Sequence, residues 1–246
     1  MRRFYAPAQQ IYDGEVHLSF DESKHLREVL RLREGDEVAV FDGEGKEYSC
    51  RIRKLGCNKN HAVLELTSES IAPSRESKLD LTLAIALMKG DKFDLVVQKA
   101  TELGVMKIVP LITKRADVKI KPDEGNKKLD RWLRIALEAA KQSGRTIMPK
   151  ISEPVELAKF LSEADSEKLF FSERDGASLK EFAGENRAIE KITAFIGPEG
   201  GWDDAEITLA RENGAQIITL GGRILRAETA GIAITTLLQN IWGDIN

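Results

Sequence analysis

The chain has few thiols, few imidazoles and no long apolar run. Cys50 and Cys57 are its only two cysteines, which excludes a disulfide framework and fits a reducing compartment. No apolar stretch approaches the roughly 18 residues that a membrane-spanning helix needs, so no membrane association is expected. The start, MRRFYAPAQQ, has two arginines but no apolar stretch behind them. It does not read as a secretory leader, and a cytoplasmic protein is expected. The three histidines, His17, His25 and His61, all fall within the first 61 residues. Cys50, Cys57 and His61 match no usual zinc spacing, so no metal is expected. GPEGG has no GKS or GKT after it, and neither GxGxxG nor GxSxG occurs. A phosphate loop, a dinucleotide fingerprint and a hydrolase nucleophile elbow are therefore unsupported. No internal repeat or low-complexity tract is present.

What is there suffices for a real core: 246 residues, 42% hydrophobic, room for one large domain or two modest ones. The net charge of −3 hides an asymmetry. Residues 107–150 hold twelve Lys/Arg against five Asp/Glu, a local +7, which leaves −10 elsewhere. A solvated helix face accounts for some of this, but a basic stripe facing a polyanion is the better reading.

SIAPSRESK (70–78) is polar, carries Pro73 and separates two rhythms. The expected organisation is a small β-barrel domain over 1–70, a linker over 71–78 and a second domain over 79–246. Before the break, EVHLSF, DEVAVFD, EYSCRIRKL and HAVLELT alternate as short strands. Asp13-Gly14 and Asp42-Gly43 are hairpin signals, and DESKHLREVLRL predicts one helix. After the break, strands and helices alternate. LDLTLAIALM, VMKIVPLI, IMPKIS, KLFFS, KITAFIG and QIITL read as strands. DKFDLVVQKATELG (Asp91 as cap, Gly104 as stop), NKKLDRWLRIALEAAKQSG, PVELAKFLSEA, DDAEITLARENG and RAETAGIAITTLLQNIWG read as helices. That alternation predicts an α/β fold with a mostly parallel sheet, whose ligands gather at the strands' carboxyl ends.

Two glycine turns lie at such ends. KITAFI runs into GPEGGW, and QIITL runs into GGRILRAETA. Glycine lets backbone N–H and C=O groups meet a ligand directly. Leu220, Ile224 and Leu225 can supply an apolar wall beside them.

In the order KFDLVVQKATELGV, IGPEGGW, LGGRILRAETA, the chain resembles the SPOUT-class RNA methyltransferases. It is most similar to the subfamily that methylates N3 of a uridine in small-subunit (16S) ribosomal RNA. MRRFYAP, HLREVLRLREGDEV and VFDGEGKEY resemble that subfamily's PUA-like first domain, and EAAKQSGR its middle helix. Ala227 stands where the resemblance leads one to expect threonine; alanine is smaller and fits the same turn. The resemblance implies a C-terminal trefoil knot, a homodimer and S-adenosylmethionine as cofactor. It implies cofactor contacts at Gly197, Glu199, Gly200, Leu220, Gly221 and Leu225.

Methyl transfer to uridine N3 needs alignment, an exit for the N3 proton and a partner for charge on O2 and O4. Arg115 ends a strand, Glu199 sits in the first glycine turn, and Arg226 and Glu228 open the last helix. These four are the catalytic candidates, although first-turn dipole compensation alone could account for Glu228. Arg2, Arg3, Arg27, Arg31, Arg33, Lys119, Lys127 and Lys128 are candidate phosphate contacts. Glu138, Gln142 and Arg145 fall at i, i+4 and i+7 of the middle helix, one polar stripe, which adds Gln142 and Arg145 to the RNA candidates. The partner the resemblance implies is ribosomal RNA or an assembled small ribosomal subunit. A SPOUT enzyme acting on ribose 2′-OH or transfer RNA, and a non-catalytic RNA-binding module, are the alternatives.

Overall fold

The structure is a computed structural model that describes residues 2–56, 61–69, 76–116, 125–174 and 176–245. Cys57, Lys119 and residues 71–75 of the expected linker lie outside them. The chain forms two compact units, one of residues 1–76 with 140–148, the other of 77–139 with 149–246.

The first unit is a six-stranded sheet of β1 (Arg3–Tyr5), β2 (Ile11–Tyr12), β3 (Glu15–His17), β4 (Glu37–Phe41), β5 (Glu47–Lys54) and β6 (Val63–Glu69). Its order is β1-β4-β5-β6-β3-β2. Only β1 and β4 run parallel. Asp13-Gly14 makes the tight hairpin that its sequence predicts. Tyr12 pairs with Glu15, and φ is +52° at Asp13 and +75° at Gly14, as a two-residue primed turn requires. Asp42-Gly43 opens a wider loop instead, in which Asp42 Oδ1 accepts from the amides of Glu44 and Lys46. The helix expected at DESKHLREVLRL is shorter. It is α1 (Phe20–Lys24), capped by Ser19, and widens into a π-type turn over His25–Val29. Phe4, Leu18, Leu26, Val40, Ile52 and Leu64 fill the core with Cys50. Burial pushes the Cys50 thiol up to about 12, as expected of a thiol packed among apolar side chains.

Buried ion pairs bring 140–148 into this unit. The Arg3 guanidinium donates to the carbonyls of Ala140, Lys141 and Arg145 and to Glu47, and lies 4.8 Å from the centre of the Phe41 ring. Lys141 pairs with Glu22. Glu76 accepts from Arg145 Nε at 2.9 Å and from the amides of Thr146 and Ile147 at 2.8 and 3.0 Å.

The second unit is an eight-stranded, wholly parallel sheet. In chain order its elements are β7 (Asp80–Ala86), α2 (Lys92–Glu102), β8 (Lys107–Ile112), α3 (Gly125–Ser143, ending in the first unit), β9 (Lys150–Ile151) and β10 (Val155–Glu156). There follow α4 (Leu157–Glu163), β11 (Glu167–Phe171), β12 (Ala177–Ser178), α5 (Leu179–Glu185), β13 (Lys191–Ile196), α6 (Asp204–Glu212), β14 (Gln216–Thr219) and α7 (Ala227–Trp242). The sheet order is β10-β8-β7-β13-β11-β14-β12, with β9 beside β8. Alternation splits each strand between two layers. Ala84, Phe170 and Phe195 pack with α4 and α6. Ile85, one residue on, lies under Gly231 of α7.

The β12–α5 pair was not predicted, although Ser178 and Glu181 form a capping box that SLKE spells out. Gly104 ends α2 with φ +83°. Asp91 stands at the N-cap position but makes no cap hydrogen bond; its carboxylate accepts from Arg131 instead. The predicted Glu138-Gln142-Arg145 stripe keeps exposed Glu138 and Gln142 on α3 but loses Arg145. Helix α3 stops at Ser143, Gly144 turns the chain with φ +83°, and Arg145 is buried at 2% exposure. Among the described residues, no helix is long and apolar enough to cross a membrane.

Truncating one partner of a buried ion pair leaves the other charge uncompensated. Arg145→Ala is therefore expected to destabilise the protein by about 3–5 kcal/mol, read by thermal or denaturant unfolding. An unchanged midpoint would show that Glu76 finds its partners elsewhere.

Candidate active site

The carboxyl ends of β13, β11 and β14 lie side by side and open into a cleft of about 260 Å³. Phe171, Ile196 and Thr219, the last residues of those strands, form one wall. Both glycine turns and the face Ala227, Ala230, Ile234 of α7 complete it. All six expected cofactor positions, Gly197, Glu199, Gly200, Leu220, Gly221 and Leu225, line this one cleft. So do Glu173 and Arg223, which sequence spacing did not single out.

The glycines are there for different reasons. A Cβ on Gly197 would lie 2.9–3.1 Å from the Trp202 ring. That ring is buried, donates Nε1–H to the Phe171 carbonyl at 2.8 Å and lies 4.1 Å from the Phe170 ring. Gly197 is thus set by packing beneath the cleft. Gly201 and Gly221 have φ of +69° and +106°, a backbone that L side chains rarely adopt. Gly200 needs neither; a Cβ there would only touch Arg115 at 3.4 Å.

The four catalytic candidates separate into two groups. Glu199 lines the cleft, and its carboxylate pairs with Lys92 at the start of α2. Lys92 also stands 3.8 Å from Glu228 Oε1. Glu228 is only 13% exposed, and its Oε2 is buried without a hydrogen-bond partner among the described residues. A lysine ammonium thus joins two of the predicted carboxylates, across 107 residues of sequence in the case of Glu199. Arg226, the N-cap residue of α7, is exposed and makes no side-chain cap bond. Arg115 braces the outer side of the first turn. Its guanidinium lies 3.4 Å from the Gly200 carbonyl and 3.3 Å from Asp203 Oδ2. Asp203 caps α6; the amide of Ala205, then Lys114 and Arg115, hold its carboxyl below its ordinary value.

The RNA candidates are likewise divided. Arg2, Arg31, Arg33, Lys127 and Gln142 are exposed. Arg27 donates to the Gly56 carbonyl, and Lys128 is partly buried at the start of α3. Arg3 and Arg145 are corrections. Their guanidinium donors are committed to carbonyls and carboxylates inside the first unit, so neither presents a free edge to a phosphate.

Residues 75–239 match the RNA methyltransferase domain family, and residues 19–67 match the RNA methyltransferase PUA domain family. The chain belongs to the RNA methyltransferase family. Ribosomal RNA small subunit methyltransferase E of Synechocystis sp. is 35% identical over 93% of this chain and 74% of its own length. The protein of that name from Bacillus subtilis is 31% identical over 97% of this chain and 94% of its own. The crystal structure of ribosomal RNA small subunit methyltransferase E from Neisseria gonorrhoeae, bound to S-adenosyl methionine, has a TM-score of 0.89 and 35% identity. The match covers 100% of both chains.

Within this RNA methyltransferase fold, Gly197 and Gly200 give opposite expectations. Gly197→Ala forces the Trp202 ring aside and should cost about 1–3 kcal/mol, the usual range for overpacking. Gly200→Ala should lie within about 0.5 kcal/mol of the parent. Thermal unfolding with tryptophan fluorescence reads both. A Gly197→Ala protein that melted at the parent temperature would refute the packing account.

Proposed function

We propose that this protein transfers the methyl group of S-adenosylmethionine to N3 of a uridine in 16S ribosomal RNA. One observation carries the reading: both glycine turns of a family member converge on a single cleft at the carboxyl ends of adjacent parallel strands. The residues fit the cofactor. Backbone at the turns offers donors and acceptors for a base edge and a ribose. Glu173 and Glu199 offer negative charge to a sulfonium, Arg223 offers positive charge to a carboxylate, and Phe171, Ile196 and Ile234 offer apolar surface.

When bound, S-adenosylmethionine supplies an electrophilic methyl group on positively charged sulfur. The chain must hold N3 in line with it, accept the N3 proton and balance the charge left on the base. The N3–carbon bond forms as the carbon–sulfur bond breaks, with the electron pair leaving on sulfur and the N3 proton passing to a carboxylate. Glu199 and Glu228 are the carboxylates at hand. Arg226 and Arg115 are the arginines proposed to meet the charge on O2 and O4. Exposed Lys127 and Arg2, with Lys128, are proposed phosphate contacts whose role is affinity and not chemistry.

The purified protein should convert uridine to 3-methyluridine in small-subunit RNA, tested both as naked RNA and as assembled subunits, with nucleosides read by mass spectrometry. A 2′-O-methyl product, or none, would overturn the assignment. Arg115→Ala should lower the single-turnover rate by on the order of 10²-fold if the arginine reaches the base. A rate retained at saturating RNA would show that Arg115 only braces Gly200 and Asp203.

The homodimer belongs to the same reading. Ile234 and Leu238 of α7 are core. Leu237 and Ile241 are 40% and 38% exposed, and Ile224 beside the cleft is 85% exposed, more apolar surface than a monomer helix needs. Sedimentation at micromolar concentration should show a dimer, and Leu237→Glu with Ile241→Glu should give monomers. A monomeric parent would refute it.

A further inference from the structure

A second cleft, of about 410 Å³, opens at the carboxyl end of β7. It is lined by the residues that follow β7 (Leu87 to Asp91), the start of α2 and the start of α3. Phe93 and Trp132 line it as a buried aromatic pair, ring centres 4.5 Å apart. Lys89, Lys128 and Arg131 also line it, against Asp91 and Asp94. Strand β7 pairs with β13 from Asp80 with Lys191 to Ile85 with Ile196, so the two clefts open at neighbouring strand ends. Lys92 lines neither cleft but is tied to both. Asp91 and Phe93, on either side of it in sequence, line the second cleft, while its ammonium is bonded to Glu199 of the first.

We propose that the second cleft seats the target nucleotide, its phosphate on Arg131 and Lys128 and its base toward Lys92; this rests on the methyltransferase reading above. In-line displacement brings the nucleophile to the methyl group from the side opposite sulfur, so acceptor and donor need adjacent cavities. A base modified at an atom of its pairing edge must leave its stack and enter a pocket. The second cleft has a size usual for small-ligand sites.

The charges suit a nucleotide phosphate. Arg131 pairs with Asp94, which is largely buried, and with Asp91, which is 89% exposed. An exposed pair of the second kind is weak and screened by solvent. A phosphate can replace Asp91 on the guanidinium and take two parallel hydrogen bonds, while Asp94 keeps the side chain in place. Lys128 has no ion pair among the described residues. At the other end, Lys92 lies between Glu199 and Glu228. This ammonium, bonded to a residue of the first cleft and flanked in sequence by residues of the second, is where charge on uridine O2 or O4 would be stabilised as N3 loses its proton.

The test titrates uridine 5′-monophosphate into protein saturated with S-adenosylhomocysteine and follows the indole ¹⁵N–¹H signals of Trp132, Trp202 and Trp242. The Trp132 signal should move with saturation, Trp242 should not, and inorganic phosphate at equal concentration should give a smaller shift. Lys128→Glu and Arg131→Gln should abolish the Trp132 shift and raise KM for RNA at least tenfold. Calorimetric affinity for S-adenosylmethionine should be unchanged, which also reports that the variants fold. A Trp132 signal indifferent to uridine 5′-monophosphate would overturn the proposal. So would full reproduction of its shift by phosphate alone, or variants with the parent KM. Because nucleotide binding is read without turnover, a parent protein that makes no 3-methyluridine would fail the functional reading separately.

Discussion

The contact on which the candidate site depends is the Trp202 indole packed under Gly197. The ring is hydrogen-bonded to the end of β11, packed at a tilt against Phe170, and close enough to Gly197 to forbid a side chain there. One residue thereby ties the turn after β13 to the end of β11, two adjacent strands of the parallel sheet. The first glycine turn, one side of the first cleft, hangs from that junction. The turn must then bend through Gly201 with positive φ, and Asp203 at once starts α6 with a capping box. Rigid backbone at a strand end is what a site needs if amide and carbonyl groups are to recognise a ligand without rearranging.

Electrostatics arrange the rest. The amphipathic α2 and α7 pack against each other, and Lys92 from one lies between Glu199 and Glu228, before and at the start of the other. Three charges from three separate segments meet there, one pair hydrogen-bonded and the other an ion pair at 3.8 Å. The partner-less Glu228 Oε2 is an unmet acceptor in a shielded place, which is costly in a resting protein. Such a cost persists most readily where a donor from a bound molecule is part of the working state.

The local +7 of residues 107–150 has more than one use. Some of it is internal: Lys141 and Arg145 neutralise Glu22 and Glu76 in the first unit. Arg115 and Lys114 neutralise Asp203. Lys127, Arg131, Arg134 and Lys150 are exposed, and Lys127, partly buried Lys128 and Arg131 share the first turns of α3, the last two beside the second cleft. Charge counted along the sequence cannot distinguish these uses, because a buried lysine and a solvated one contribute equally to the sum.

The sequence by itself determined most of the element order, the β12–α5 pair excepted, and the location of the cleft. Strand and helix periods are local properties, and so are turn chemistries such as Asp13-Gly14 and the glycine stop at Gly104. A glycine-rich turn after a buried strand marks a ligand-facing end wherever the sheet is parallel, so the two turns could be assigned before their meeting was seen. Only the tertiary structure decided which charges are chemistry and which are scaffold. Arg145 looked like part of a surface stripe because helical spacing was carried past Gly144, where the helix has already ended. Arg3 looked like a phosphate contact because nothing in RRFY reveals that three carbonyls of residues 140–145 are waiting for it. Lys92 was missed for the converse reason. Its partners Glu199 and Glu228 lie far along the chain, and only the pairing of β7 with β13 and the packing of α2 on α7 bring them together. Periodicity encodes which face a residue occupies; the partner it finds there is set by topology.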